Sequence, residues 1–518
     1  MVSPSATAEG FVDAFLDALR SDRPATKEGV HRLKVRLARS RGIGPLPSDA
    51  VILEDARGRV DSVIEDLLRV KPARTASGVA VVTVMTAPHA CPHGVCVFCP
   101  GGPRVSTPQS YTGHEAVTKR AAERGYDPRA QTLGRLEALR RIGHRTDKID
   151  LIILGGTFTA LDAAYRESFV KGCLDAMNGF SSNSLGAAQS ANESASVRCV
   201  GLTMETKPDV FLGAEVEHSL ALGVTRVELG LQSTHDDVLA LAHRGHTDGE
   251  SRLAILRSKE AGLKVGVHLM LGLPGSDAGR DFASARSLFE DPAYRPDFLK
   301  IYPTLVLEGT ALHGLAKAGR YTPLRLEDTV DLLSRIKALV PPWCRIQRIQ
   351  REIGAPQILG GPRRGDLRVL AQERLRSRGL RCRCVRCREV GLRAVEPRAQ
   401  ALTLLRADYD ASGGREVFLS VEDPGRDVLV GYARLRIDAA GATLRELKVF
   451  GRLVPLHEPS GGRWQHRGLG RRLVSEAERL AREAFGARRM RVTAGVGVRG
   501  YYRRLGYDLE APYMVRRL

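Results

Sequence analysis

Short, nearly continuous runs of apolar residues recur along the first two thirds of the chain. Gly78–Thr86 (GVAVVTVMT) is the first, followed by Ile149–Leu154, Cys199–Met204, Thr225–Gly230, Lys264–Met270, Phe298–Tyr302 and Arg345–Ile349. Runs of this length predict strands. Hydrophobicity that is continuous rather than alternating predicts parallel strands covered on both faces. The connectors are long enough for helices, so the pattern is that of an α/β fold, a partial (β/α) barrel or an open sheet. In barrels the chemistry gathers at the C-terminal strand ends, and here those ends carry Gly155-Gly156-Thr157, Glu205-Thr206 and Gln232-Ser233.

The flanks follow other rhythms. Up to residue 75 the chain reads as short helices, with Phe11, Phe15, Leu16 and Leu19 at helical spacing and a basic segment from Lys27 to Arg41. Beyond Ala401 an α+β pattern takes over. Val428–Arg436, Leu444–Phe450 and Met490–Ala494 predict strands, and Arg471–Phe485 predicts a helix with Leu473, Ala477, Leu480, Ala481 and Ala484 on one face. The domains expected are therefore 1–75 (basic, helical), 76–358 (the barrel), 359–398 (a Cys/Arg-rich linker) and 399–518 (the α+β module). A chain of 518 residues is too long for one core, which agrees with this division.

Charge narrows the partners. Lys+Arg number 79 against 59 Asp+Glu, a formal balance of +20, which favours a polyanionic partner. The segment from Gly361 to Arg393 concentrates it, with eleven arginines against Asp366, Glu373 and Glu389. No apolar run is long enough for a membrane span and no secretory leader is legible, so a cytoplasmic protein without membrane contact is expected. Nine cysteines in that setting predict metal rather than disulfides, because six of them fall into two tight clusters.

The first cluster, Cys91-Pro-His-Gly-Val-Cys96-Val-Phe-Cys99, lies in the loop directly after the first strand. Three thiolates so spaced can hold a four-iron four-sulfur cluster and leave one iron open to a ligand. A structural zinc with His93 as fourth ligand is the competing account. The second cluster, Cys382-Arg-Cys384-Val-Arg-Cys387, supplies three thiolates between the two large domains. Zinc with one remote ligand is its most economical occupant, and the interleaved arginines suggest a rigid array for phosphates. In the last module, Trp464-Gln465-His466-Arg467-Gly468-Leu469-Gly470 precedes a helix, a geometry that suits a pyrophosphate.

Taken together, the strand, the three-cysteine loop with an aromatic before its last cysteine and the Gly-Gly strand end resemble the radical S-adenosylmethionine superfamily. Four residues separate Cys91 from Cys96 where three are usual, and Thr157 stands where an acid is common. Those departures resemble the family of the Elongator catalytic subunit. Its other motifs occur in order: Pro108–Gly113, Leu154–Phe158, Gly201–Thr206, Arg226–Ser233, Arg244–Thr247, Gly272–Gly275 and Leu299–Val306. Leu154 and Leu271 are minor departures. The Gln-x-x-Gly-x-Gly turn resembles the acetyl-CoA loop of Gcn5-related acetyltransferases.

The resemblance implies a partial barrel of the radical type joined through the metal segment to an acetyltransferase-like domain. It implies a 4Fe-4S cluster on Cys91, Cys96 and Cys99, and S-adenosylmethionine at Gly155, Gly156, Thr157, Glu205 and Gln232. Zinc is expected on Cys382, Cys384 and Cys387. Acetyl-CoA is expected at Lys148, Glu446, Leu447, Lys448, Val449, Gln465, Gly468, Leu469, Gly470, Arg471 and Tyr502, with Tyr502 and Lys148 catalytic. The implied reaction joins the acetyl methyl carbon to the wobble uridine (position 34) of tRNA and leaves a carboxymethyl group. It calls for the tRNA anticodon region and an external electron donor as partners, and leaves a homodimer open. A protein lysine acetyltransferase with a structural iron-sulfur domain and an inactive tRNA scaffold are the competing readings.

Overall fold

The structure, a computed structural model, describes residues 10–56 and 58–518; the first nine residues of the expected helical region lie outside the described residues. Seven parallel strands form the central sheet: β1 (Ala80–Met85), β2 (Lys148–Leu154), β3 (Arg198–Thr206), β4 (Arg226–Gln232), β5 (Lys264–Leu271), β6 (Phe298–Pro303) and, after the short β7 (Val306–Leu307), β8 (Arg345–Arg348). Each pairs in parallel with its neighbour in sequence order, β8 beside β6, while β7 pairs with β9 (Ile358–Gly360) in a separate ribbon. This is the partial barrel expected from the apolar runs, and each of the seven runs supplies one of its strands.

The runs alternate once folded. On β2, Ile149, Leu151 and Ile153 are buried outward against helices, whereas Lys148, Asp150, Ile152 and Leu154 are half-buried on the other face and line the barrel interior. The inward face is thus more polar than continuous hydrophobicity suggested. Helices Pro128–Arg141 and Ala163–Asn178 cover the outer face through Leu136, Leu139, Phe169 and Leu174. Upstream, four helices between Phe11 and Leu68 build a small core from Phe11, Phe15, Leu16, Val30, Ile52 and Leu68. Three of them are capped by Thr26, Ser48 and Asp61, whose side chains accept from free N–H groups of the first turn.

The C-terminal module is a second seven-stranded sheet of mixed pairing. It comprises β10 (Thr403–Ala411), β11 (Gly414–Asp423), β12 (Val428–Asp438), β13 (Gly441–Val449), β14 (Arg489–Val492), β15 (Asp508–Glu510) and β16 (Tyr513–Arg517), with β16 between β14 and β15. Helix Leu469–Glu483 lies on it through Leu473, Val474, Ala477 and Leu480. The helix starts two residues earlier than its apolar spacing indicated, because Gly468 takes the left-handed conformation (φ 79) and begins the turn there. No helix among the described residues is long and apolar enough to cross a membrane.

The two large parts share one core. Apolar packing runs without a break from the barrel through Cys382, Cys384 and Val385 to Tyr409, Phe418, Tyr432 and Phe450 of the second sheet. Ionic packing reinforces the join. Asp297, just before β6, accepts from Arg445 of β13 at 2.7 and 2.8 Å, and Arg445 also reaches Glu416 at 2.8 Å. All three side chains are 0–1% exposed, so each charge depends on its partners for the stabilisation that water would otherwise give.

Candidate active site

The C-terminal mouth of the barrel opens into a cavity of about 540 Å³. Cys91, Cys96 and Cys99 line it together with Gly156, Thr157, Glu205 and Gln232, so the loop after β1 and the ends of β2, β3 and β4 meet there as expected. Donors converge on the sulfurs. Arg244 Nη1 stands 3.2 Å from Cys96 Sγ, Gln109 Nε2 3.1 Å from Cys99 Sγ, Ser110 Oγ 3.1 Å from Cys99 Sγ and Thr157 Oγ1 3.4 Å from Cys91 Sγ. Burial pushes the Cys91 and Cys99 thiols up, so thiolates there call for a metal or another strong positive partner.

The fit of this cavity to an iron-sulfur cluster with S-adenosylmethionine rests on its floor and its donors. Gly155 has φ 143, and a Cβ there would stand 1.9 Å from Thr86 Oγ1; a Cβ on Gly156 would close to 3.9 Å from Cys91 Sγ. Gly155 lets the strand end pack on Thr86 and is not itself part of the lining, whereas Gly156 lines the cavity at ordinary contact distance from Cys91. Gln232, at φ 73, carries a buried Oε1 with no hydrogen-bond partner, an acceptor ready for a ligand amine. His93, the alternative fourth metal ligand, has its Nε2 3.2 Å from Cys96 Sγ.

Four residues without an assigned role in the sequence complete the mouth. Lys300 Nζ is 2.9 Å from Glu205 Oε1 and also pairs with Glu228, and His268 Nε2 is 3.1 Å from Glu228 Oε2. Tyr111 donates to Glu205 Oε2 at 3.4 Å. The adjacent positive charges of Lys300 and Arg226 hold the Glu228 carboxyl well below the usual range despite full burial. Glu205, Glu228 and His268 gather within 4.8 Å, but the Lys300 ammonium already neutralises the pair. The signal of Glu228, His268 and Lys300 in sequence was a polar residue on an inward position of an otherwise apolar strand, in RVELGLQ, KVGVHLML and FLKIYP; Tyr111, in a loop, gave none.

At the opposite end of the same barrel, against the second sheet, lies a cavity of about 350 Å³. β13 and β14 pair only at Ala442–Leu444 with Met490–Val492 and then diverge, leaving the backbone from Glu446 onward along an edge that no strand covers, with Val449 O taken by Gln465. Gly468, Leu469, Gly470 and Arg471 enclose the other side, and Tyr501 and Tyr502 the end. The barrel closes the remaining wall with Lys148, Gly201, Arg226 and Lys264. Lys148 Nζ donates to Gln465 Oε1 at 2.9 Å, and burial pulls Lys148 down to about 8.

The structure changes the parts assigned to some of these groups. Gln465 lines this cavity as expected and also ties it to the domain join, where its Nε2 donates to Gly78 O and Val449 O at 3.1 Å each. The Glu446 carboxylate is committed to Arg434 at 2.9 Å, which leaves its backbone for a ligand. Tyr502 is buried among Tyr501, Tyr507 and the helix core. Tyr501, unassigned from sequence, has a buried hydroxyl without a partner, and a Cβ on Gly470 would lie 2.9 Å from that oxygen. The free edge, the glycine-rich helix start and this hydroxyl fit a pantetheine thioester with its pyrophosphate.

The second cysteine cluster closes on itself, with Cys382, Cys384 and Cys387 sulfurs within 4.8 Å of one another. No histidine joins that group among the described residues; Gln372 Oε1 stands 3.9 Å from Cys387 Sγ. Of the arginines expected as a surface array, Arg388 is fully buried and pairs with Glu422 of β11, because its position after the knot points it into the join between the domains.

The Radical SAM superfamily profile matches residues 85–281, and the Radical_SAM C-terminal domain profile matches residues 296–377. The chain is 43% identical to the tRNA uridine(34) acetyltransferase of Methanocaldococcus jannaschii, over 97% of this chain and 96% of that protein. It is 42% identical to Elongator complex protein 3 of Homo sapiens, over 94% and 93% of the two chains. Among solved structures it resembles the archaeal Elp3 of Methanocaldococcus infernus lacking its N-terminus, with a TM-score of 0.76 and 41% identity, covering 86% of this chain and 100% of that one.

Proposed function

Since this chain belongs to the Elongator complex protein 3 family of radical SAM enzymes, we propose that it modifies the wobble uridine of tRNA, taking the two carbons of a carboxymethyl group from acetyl-CoA. The observation that supports this reading best is the placement of two different cavities at the two ends of one parallel barrel. One is lined by three thiols, the other by a helix start and a free strand edge.

A 4Fe-4S cluster held by Cys91, Cys96 and Cys99, with S-adenosylmethionine, supplies on reduction a carbon radical able to take hydrogen from a methyl group. Around it the chain's own residues bind and orient. Gly156 lies beside Cys91 without a side chain, and Gln232 offers its free carbonyl to an amine. Arg244, Gln109 and Ser110 donate to the sulfurs, which favours the reduced, more negative state. The Glu205–Lys300–Glu228–His268 chain presents paired charges to the cavity, where Lys300 can donate to a polar ligand atom while remaining neutralised.

At the other cavity the Glu446–Val449 edge pairs with pantetheine amides, and the N–H groups from Leu469 onward receive the pyrophosphate. Lys148, bonded to Gln465, Tyr501, beside Gly470, and Tyr502, packed on Tyr501, are the proton-bearing groups of the cavity that would serve the thioester. A proton for the departing thiolate comes from one of these groups, which Tyr502→Phe, Tyr501→Phe and Lys148→Ala separate. Zinc on Cys382, Cys384 and Cys387 fixes the linker between the domains. The competing lysine acetyltransferase reading is separated by the Cys96→Ala protein, since it requires acetylation of a lysine peptide by that variant.

The test is anaerobic. Protein with a reconstituted cluster is given S-adenosylmethionine, a reductant, acetyl-CoA and bulk tRNA, and nucleosides are analysed by mass spectrometry beside a Cys96→Ala control. Carboxymethyl uridine with the parent protein alone is expected. Its absence from a cluster-bearing protein that binds acetyl-CoA and tRNA would overturn the reading.

A further inference from the structure

The proposed reaction, on which this inference rests, has to bring together groups held at opposite ends of the barrel. Lys148 starts β2 beside one cavity and Leu154 ends it beside the other. Six residues of strand at about 3.3 Å each put them about 20 Å apart. Inside the barrel the cavities come much closer. On β2 the inward residues Asp150 and Ile152 belong to the lower and upper cavity respectively, and on β4 Arg226 and Glu228 do the same. Two residues of strand, about 7 Å, separate them.

The layer between consists of side chains. Arg226 Nη1 is 3.6 Å from Asp150 Oδ2 and Arg226 Nε 3.5 Å from Glu228 Oε1, contacts too long for good hydrogen bonds. Its Nε is buried without a hydrogen-bond partner, and its guanidinium lies 5.1 Å from the centre of the Phe298 ring. On β3 and β5, Gly201 and Gly266 carry no side chain into this layer. A Cβ on Gly201 would stand 3.3 Å from Asp150 Oδ1, and one on Gly266 3.1 Å from Glu228 Cγ. Neither glycine has the positive φ that would require glycine for the backbone's sake. Glycine weakens a strand interior, and close approach of another group is its usual reason there.

We infer that the layer of Asp150, Arg226 and Glu228 is the passage by which the acyl end of the CoA thioester crosses the barrel to the cysteine-lined cavity. Arg226 is its positioning residue, and Gly201 and Gly266 set the acyl size admitted. The guanidinium has an N–H free for a thioester carbonyl. Because the barrier is one layer of side chains, a rotamer change in Arg226 opens it without moving a strand.

A labelling experiment needs neither S-adenosylmethionine nor tRNA. Full-length Ile152→Cys protein, prepared without its cluster, is incubated with chloroacetyl-CoA, whose chloride a thiolate displaces to form a thioether. Alkylation at position 152 is read by peptide mass spectrometry. Tethering raises the local concentration of the reactive carbon, so labelling is expected to slow by about tenfold or more when excess CoA occupies the interdomain cavity. A bulky reagent, 2-chloro-2-phenylacetyl-CoA, is expected to leave position 152 unmodified, and so is chloroacetyl-CoA after a further Gly266→Val change in protein whose CoA affinity by calorimetry is retained. Should Gly266→Val lose CoA binding, the bulky reagent decides the size question.

An unlabelled position 152 in protein saturated with chloroacetyl-CoA would overturn the inference. So would labelling indifferent to CoA, which would mean arrival through the open mouth, and so would equal labelling by the bulky reagent. If the passage fails while carboxymethyl uridine still forms, the functional reading stands without it. If labelling succeeds and no modified uridine forms, the functional reading is the part that falls.

Discussion

Six of the nine cysteines form two triads, and the fold treats them in opposite ways. Cys91, Cys96 and Cys99 stand around a cavity of about 540 Å³ with donors on their sulfurs and Gly156 beside Cys91. Cys382, Cys384 and Cys387 draw within 4.8 Å of one another in a knot continuous with the apolar core. The first triad opens onto a cavity that can receive a ligand, whereas the second is enclosed by the core that joins the domains and holds chain segments together. Removing a thiol from the first should therefore abolish chemistry and spare the fold, and removing one from the second should do the reverse.

Cys96→Ala is expected to bring tRNA modification down to background while the unfolding midpoint stays near that of the parent, as followed by circular dichroism. Cys384→Ala strikes the knot, and if the proposed zinc is bound there its loss is expected to lower stability by about 3–5 kcal/mol or more, measured by denaturant titration, with or without a prior chelator. Equal effects of the two changes on stability would erase the distinction between the triads. Asp297→Ala supplies a reference of similar size without any cysteine. It leaves Arg445 buried and partly unpaired, and about 3–5 kcal/mol is expected to be lost.

Smaller effects sharpen the contrast at the open site. Gln232→Ala is expected to weaken S-adenosylmethionine binding roughly tenfold, the equivalent of about 1.4 kcal/mol, read by equilibrium dialysis. The smallest is a pH effect at the other end of the barrel. Burial lowers Lys148 to about 8, so its ammonium is present below that pH and lost above it. Acetyl-CoA affinity is expected to fall severalfold between pH 7 and pH 9, and Lys148→Arg, charged throughout, to flatten the profile. An unchanged profile in the variant would remove Lys148 from the thioester site.

The barrel was legible because each of its strands is buried on its outer face and framed by helices, so the apolar runs stood out one by one. The inward polar layer was not, since a single Glu228 or Lys300 within such a run carries no sign of which neighbour it will meet. β10 and β11 escaped notice because Thr403–Ala411 mixes exposed and buried positions with Arg406, Asp408 and Asp410 among its apolar residues, and Glu416 and Glu422 on β11 are buried in ion pairs with Arg445, Arg436 and Arg388. The cysteine loop and the Gly468–Gly470 turn were readable locally, because their backbone does the work. Tyr501 was not, because its place depends on which of two adjacent tyrosines faces Gly470, and the bond from Gln465 to Gly78 of the other domain was equally out of reach.

In the proposed reaction both ends of one barrel serve a single conversion, and an isotope experiment tests this most directly. With acetyl-CoA deuterated and carbon-13 labelled in its methyl group, anaerobic turnover on tRNA should place deuterium in the 5′-deoxyadenosine formed and carbon-13 in the carboxymethyl uridine. Deoxyadenosine free of deuterium, accompanied by modified uridine without the carbon label, would show that the acetyl methyl is not what the cysteine-lined cavity acts upon, and would contradict the account.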